Sequence, residues 1–302
     1  MKRIKTGILP ALCLGLLLSI PAFGAKQETV SKTFPMKKNI RLKLALGNCT
    51  IEKSSDNQIH VRLNYDYEKG TFEPVFKETD NALVLEEKFS GQNHHGSSDW
   101  TVAVPGEADI EISSGTGDIT IKDVAAEIEA NSGTGDIELT STKGKYDLNS
   151  GTGRVTAENA EGKFKLNSGT GKVIVRNCSG DFDANSGTGT VEASRIKLDN
   201  EGKFNSGTGE VEVDAPQGKE FDLHISSGTN DAILDMKGEP LQGYFEFTAH
   251  ARIGQIVSPE KFDNEGEYSE NSSDYLKKSF TRGKDTPRYY ISTGTGKAIL
   301  KK

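Results

Sequence analysis

The tetrapeptide Ser-Gly-Thr-Gly begins at Ser114, Ser132, Ser150, Ser168 and Ser186, an unbroken 18-residue period, and returns at Ser206. Degenerate copies follow at Ser227-Gly228-Thr229-Asn230 and Thr293-Gly294-Thr295-Gly296. A fixed period of this length specifies stacked supersecondary units rather than a globule with an enclosed pocket.

Within the first unit, Ile119 and Ile121 alternate with polar residues, and Ile128 and Ala130 do so again after a short break. That is the period-2 signature of two half-buried strands, so each repeat is two strands and two turns. Stacked in register, the units give apolar columns: Ile119, Ile137, Val155, Val173, Val191, Val211, and in the second strand Ile128, Tyr146, Phe164, Phe182. Large and small residues share these columns, as a narrow core requires. The columns between them are charged (Glu127, Lys145, Lys163, Asp181; Glu129, Asp147, Lys165, Asp183) and are expected to face solvent. Stacked opposite charges there contribute about 0.2–1 kcal/mol per pair, enough to tune register and too little to hold the fold.

The turns are expected to be built by Asn131, Ser132, Gly133 and Gly135, and by their equivalents Asn149, Gly151, Gly153, Asn167, Gly169, Gly171, Asn185, Gly187 and Gly189. The glycines are expected to supply positive φ and close backbone approach, and the hydroxyls to bond backbone groups at the corner. Asparagines stacked one above another predict amide ladders along the axis. The predicted fold class is therefore all-β, a parallel β-solenoid resembling a right-handed β-helix, with 18-residue coils of two short strands each.

Gly-x-Gly alone suggests a phosphate cradle, but that chemistry needs a helix N-terminus after the turn, and here a strand follows. The calcium-binding β-helix nonapeptide needs a Gly-Gly pair that this repeat lacks. The position after the motif also carries Arg154 and Lys172, which would repel a cation. The adjacent pair His94-His95 in the polar loop 90–99 has no Cys or carboxylate at ligand spacing and reads as solvated. No cofactor and no metal is expected.

Residues 1–24 read as a secretory signal peptide: Lys2, Arg3 and Lys5 precede an apolar run, and Ala22-Phe23-Gly24 supplies a small-residue cleavage site before Ala25. Removing those three basic residues takes the net charge from −7 to −10, which disfavours nucleic acid and anionic membranes as partners. No other apolar stretch is long enough for a transmembrane helix. Export to an oxidising compartment would permit a disulfide between Cys49 and Cys178. However, Gly47-Asn48-Cys49-Thr50-Ile51 mimics Gly117-Asp118-Ile119-Thr120-Ile121, and Cys178 falls where Val124 and Ala160 sit. Both are expected to be buried apolar residues in coils too far apart to bridge. Residues 25–113 are expected to form irregular coils, 114–236 the regular solenoid, and 237–302 irregular coils and a cap, because an open coil is an aggregating edge.

These repeats, following Val102-Ala103-Val104-Pro105-Gly106 and a signal peptide, resemble bacterial β-strand-repeat proteins described as "putative adhesins". The resemblance covers roughly residues 35–302. It implies an extracytoplasmic solenoid, carries no catalytic or binding residue over, and says little about ligands.

The function expected from the residues is a non-enzymatic exported protein of the cell envelope, periplasmic or at the surface, with an adhesion or scaffold role and a protein or glycan partner. The alternatives are a polysaccharide-active β-helix enzyme, which would need clustered acids in a groove, and an accessory of envelope-stress signalling. The aromatics of the regular repeats fall in the inward column. Ligand contact is therefore expected at the C-terminal end, with Tyr244, Tyr268, Tyr275 and Phe280 as the candidate surface.

Overall fold

The computed structural model describes residues 27–91 and 95–302; the expected signal peptide 1–24 and His94 of the histidine pair lie outside the described residues. The described chain is all β, arranged as two sheets of thirteen and fourteen strands that enclose one apolar core. One coil contains a short strand such as Ile119–Lys122 in the first sheet and a long strand such as Ala125–Ser132 in the second. A Ser-Gly-Thr-Gly corner then leads back to the first sheet. Successive strands pair in parallel, with Ile119, Ile137, Val155, Val173, Val191 and Val211 in one register and all of them buried.

The longer coils keep this register through local adjustments. In the coil ending at Ser206, Asp199, Asn200 and Glu201 bulge opposite the single residue Asp181 and absorb the two extra residues, after which Asn185 pairs with Asn205 and Ser186 with Ser206. The next coil loops out before Asp222, and Ser206 again pairs with Ser227. The apolar columns and the turn column are thus restored by bulging the excess outward. A one-residue slip would have turned every core residue to solvent.

The turn glycines differ from expectation. None of the glycines in the regular Ser-Gly-Thr-Gly turns lies in the left-handed region. They are required by close approach alone: a Cβ at Gly133 would lie 2.3 Å from the carbonyl oxygen of Gly115, and one at Gly135 2.1 Å from that of Gly117. The left-handed residues sit at the opposite corner, where Asp123, Ser141, Asn159, Asn177, Arg195, Ala215 and Lys237 take φ between 38° and 58°. Varied side chains hide this corner in the sequence, although Asn and Asp tolerate the conformation.

Inside the long sheet the rings of Tyr146, Phe164, Phe182 and Phe204 form a continuous stack, with centroids 5.1, 4.8 and 6.0 Å apart. Tyr146 is the one polar member. Its hydroxyl is buried beside Thr142 without a well-aligned hydrogen bond, and burial pushes its pKa up to about 12. Tyr146→Phe removes an unsatisfied buried group from a column that accepts Phe on the next coil. It should leave stability unchanged or raise it by about 1 kcal/mol, read from urea melts; a loss of more than that amount would show that the hydroxyl is bonded.

Both ends of the rod break chain order. At the N-terminal end the coil formed by Asn39–Leu44 and Asn48–Lys53 is wedged between the coil of Ala82–Phe89 and Ser98–Val104 and the coil of Asp109–Ser114 and Ile119–Lys122. Antiparallel strands Glu28–Pro35, Gln58–Tyr65 and Phe72–Glu78 finish this end. At the C-terminal end, Arg288–Thr293 and Lys297–Lys301 slot between Asp222–Ser227 and Ala232–Asp235 on one side and Gly243–His250 and Gln255–Val257 on the other. The hairpin Asn264–Glu270 and Ser273–Arg282 covers the outermost long strand.

Candidate functional site

Each turn serine points inward and ties two coils. Ser132 Oγ donates to the Gly117 carbonyl of the preceding coil at 3.0 Å and accepts from its own Gly135 N–H at 2.9 Å. Ser150, Ser168 and Ser186 repeat this with Gly135, Gly153 and Gly171. Outside the corner, Asn149 Nδ2 donates to Asn131 Oδ1 at 3.0 Å, Asn167 to Asn149 at 2.7 Å, Asn185 to Asn167 at 3.1 Å and Asn205 to Asn185 at 2.9 Å. Gly133, Gly151, Gly169 and Gly187, and one step on Gly135, Gly153, Gly171 and Gly189, stack backbone on backbone. The threonines between them, from Thr116 to Thr208, stand exposed as a ridge along one corner. These turn residues tie each coil to the next.

Glu87 was not singled out by sequence, and it does at the N-terminal end what serine does in the repeats. The corner Leu44-Ala45-Leu46-Gly47 has no serine. Glu87 fills that place, with Oε2 accepting from the backbone N–H groups of Ala45, Leu46 and Gly47 at 2.8, 3.1 and 3.2 Å. Its Oε1 accepts from Ser98 Oγ and from Trp100 Nε1. A signal was available in the sequence: Leu83, Leu85 and Glu87 share one parity of their strand, so Glu87 points inward with the leucines.

The candidate surface residues divide. Phe280 is a correction: it is fully buried, with its ring stacked 4.8 Å from Phe245 and packed against Phe247, and it cannot present a face to a ligand. It shares strand parity with Leu276, which faces the same interior side. Tyr244, Tyr268 and Tyr275 do lie on the outer face of the long sheet, where His224, His250 and Tyr290 join them. Two pairs of these rings stack, His224 on Tyr290 at 4.5 Å and 8° and Tyr268 on Tyr275 at 5.4 Å and 21°, while Tyr244 meets Tyr290 at 66° and His250 meets Tyr275 at 69°, edge to face. Tyr268 lies on the edge strand Asn264–Glu270 and is the exposed member of the group. Tyr244 Oη donates to Glu246 Oε2 at 2.6 Å, and Lys277 Nζ lies 2.9 Å from Oε1 of the same carboxylate. Burial, and then the bond to Glu246, holds the Tyr244 pKa above its ordinary value.

On the short sheet Glu212, Asp214 and Asp235 converge closely enough to suggest a cation. Lysines already fill that role: Lys237 Nζ lies 3.0 Å from Asp235 and 3.4 Å from Asp214, and Lys301 Nζ 3.1 Å from Glu212. Burial raises the Asp214 pKa, and Lys237 opposes it. Cys49 and Cys178 are free, buried and separated by several coils. Burial pushes the Cys178 thiol up to about 11 and the Cys49 thiol higher still, so neither is a ready nucleophile at neutral pH.

A family model described as Toastrack DUF4097 matches residues 37–271, from the first wedged coil to the tip of the terminal hairpin. The chain belongs to this family. The Toastrack match stops short of the last coil, residues 288–301, which the structure nevertheless incorporates between two earlier ones. Among solved structures, a "putative lipid binding protein" of Parabacteroides distasonis is 16% identical over 70% of this chain and 91% of its own, with a TM-score of 0.48. A "putative adhesin" of the same species is 14% identical over 92% and 97%, TM-score 0.42. A "putative cell adhesion protein" of Clostridium sporogenes is 13% identical over 91% and 99%, TM-score 0.30. None of the curated proteins matches this Toastrack sequence.

Proposed function

We propose that this protein works by binding, as an exported scaffold or adhesion element of the bacterial cell envelope. The observation that carries this reading is the laddered rod. Serine, asparagine and backbone bonds lock successive coils into one rigid body, and this builds extended faces rather than an enclosed site. The regular faces present paired, interchangeable charges such as Lys145 with Glu127 and Lys165 with Asp147. Specific recognition belongs at the C-terminal outer face, where Tyr268 and Tyr275 are joined by Tyr244, Tyr290 and His224.

Deleting the hairpin is a poor test, because it removes Phe280 from the core. The better variant is Tyr268→Ala with Tyr275→Ala, compared with Lys145→Glu and Lys163→Glu on the repeat face. Purified protein is tested for attachment to envelope fractions and to an array of bacterial glycans. The tyrosine variant is expected to lose at least tenfold in binding with an unchanged melt, and the lysine variants to bind as before. The reverse pattern would relocate the site to the repeats, and depolymerisation of a polysaccharide by the pure protein would overturn the non-enzymatic reading. Export is checked on the same material, whose mass is expected to begin at Ala25.

A further inference from the structure

The last coil lies between two coils that follow one another in sequence, and the two flanking coils match each other. Phe245, Phe247 and Ala249 sit opposite Tyr289, Ile291 and Thr293, which sit opposite Leu223, Ile225 and Ser227. With the last coil withdrawn, the strand Gly243–His250 can therefore pair with Asp222–Ser227 in the same register, Phe245 over Leu223 and Phe247 over Ile225, while Tyr289, Ile291, Ala298 and Leu300 of the withdrawn coil lose their cover until the coil enters another slot.

The contacts that hold the last coil on the rod are those of the repeat. Thr293 Oγ1 donates to the Asn230 carbonyl at 2.8 Å and accepts from Gly296 N–H at 3.1 Å, as the serines do, and Lys297 N–H donates to Asp231 at 2.8 Å. Any copy of the chain offers the same partners. A single short connector, Gly283–Pro287, joins the coil to the hairpin, and its Asp285 side chain is 75% exposed.

We propose that the coil of residues 288–301 is an exchangeable element whose alternative host is the same slot in a second copy of this chain. Exchange keeps every contact of the coil and changes only the path of the connector, so the closed monomer and the exchanged dimer differ little in free energy. A connector of five residues spans at most roughly 18 Å, which confines exchange to copies whose corners at Gly243 and Arg288 meet. Such exchange would join two rods at that corner. It stands independently of what the outer face binds.

Ser226 and Ser292 are paired in register across the slot. Two full-length chains, one with Ser226→Cys and one with Ser292→Cys, are mixed at high concentration, held in subdenaturing urea, returned to buffer and oxidised. The expected product is a disulfide-linked species of twice the monomer mass, while the double variant closes its bond within one chain. If the double variant closes internally while the mixed single variants never cross-link, the proposal is overturned.

Discussion

Glu87→Ala should cost about 3–5 kcal/mol, because it strips the acceptor from three backbone N–H groups, a serine hydroxyl and an indole N–H in one buried turn. The loss should be local in the first instance. A solenoid distributes its stability over neighbouring interfaces, so its N-terminal coils can melt ahead of the repeats. Trp100 is the only tryptophan of the chain and bonds to Glu87 itself, so its fluorescence reports that end alone. In urea the Trp100 transition of the variant is expected well below that of the circular dichroism signal. Glu87→Gln keeps one acceptor oxygen and should fall between. Coincident, unshifted transitions in Glu87→Ala would show that the carboxylate contributes nothing to the turn.

The second large effect belongs to the glycine columns. A Cβ at Gly153 would lie 2.1 Å from the carbonyl oxygen and 2.5 Å from the carbonyl carbon of Gly135, both backbone atoms of the coil below. Neither can move without breaking the ladder on either side, so Gly153→Ala should destabilise the protein by roughly 3 kcal/mol or more, the upper end of overpacking costs. The neighbouring Thr152 is exposed, and Thr152→Ala should be close to neutral in the same melt. Equal stability of the two variants would mean that the coils sit farther apart than the structure has them.

Much of this architecture was legible in the letters, for a physical reason: a strict period forces each residue to meet its own equivalent. The asparagine ladder, the inward ring stack and the register of Cys49 against Ile119 all follow from that constraint. The same constraint is silent about which coil is whose neighbour. Gly47-Asn48-Cys49 has the register of any coil, and only tertiary packing places it between strands Ser98–Val104 and Ile119–Lys122. The left-handed corner escaped because conformation there is imposed by stacking on residues as unlike as Arg195 and Ala215. At the candidate site, composition concentrated aromatics at the C-terminal end, but only strand parity separates Tyr275, turned outward, from Phe280, turned in.

The rod with its wedged terminal coils is tested most directly by distances along the turn ridge. A spin label at Thr295 is paired in turn with labels at Thr170, Thr134 and Leu46, and each pair is measured by double electron–electron resonance. With strands about 4.8 Å apart, the three separations should grow from about 19 to 29 to 38 Å, in equal steps of about 10 Å. The last step places the coil of Leu46 directly beside that of Thr116, and the first places the coil of Thr295 directly on that of Thr229. Unequal steps, or a Leu46 distance longer by a full coil, would contradict the wedged order, and broad overlapping distributions would contradict the rigid solenoid itself.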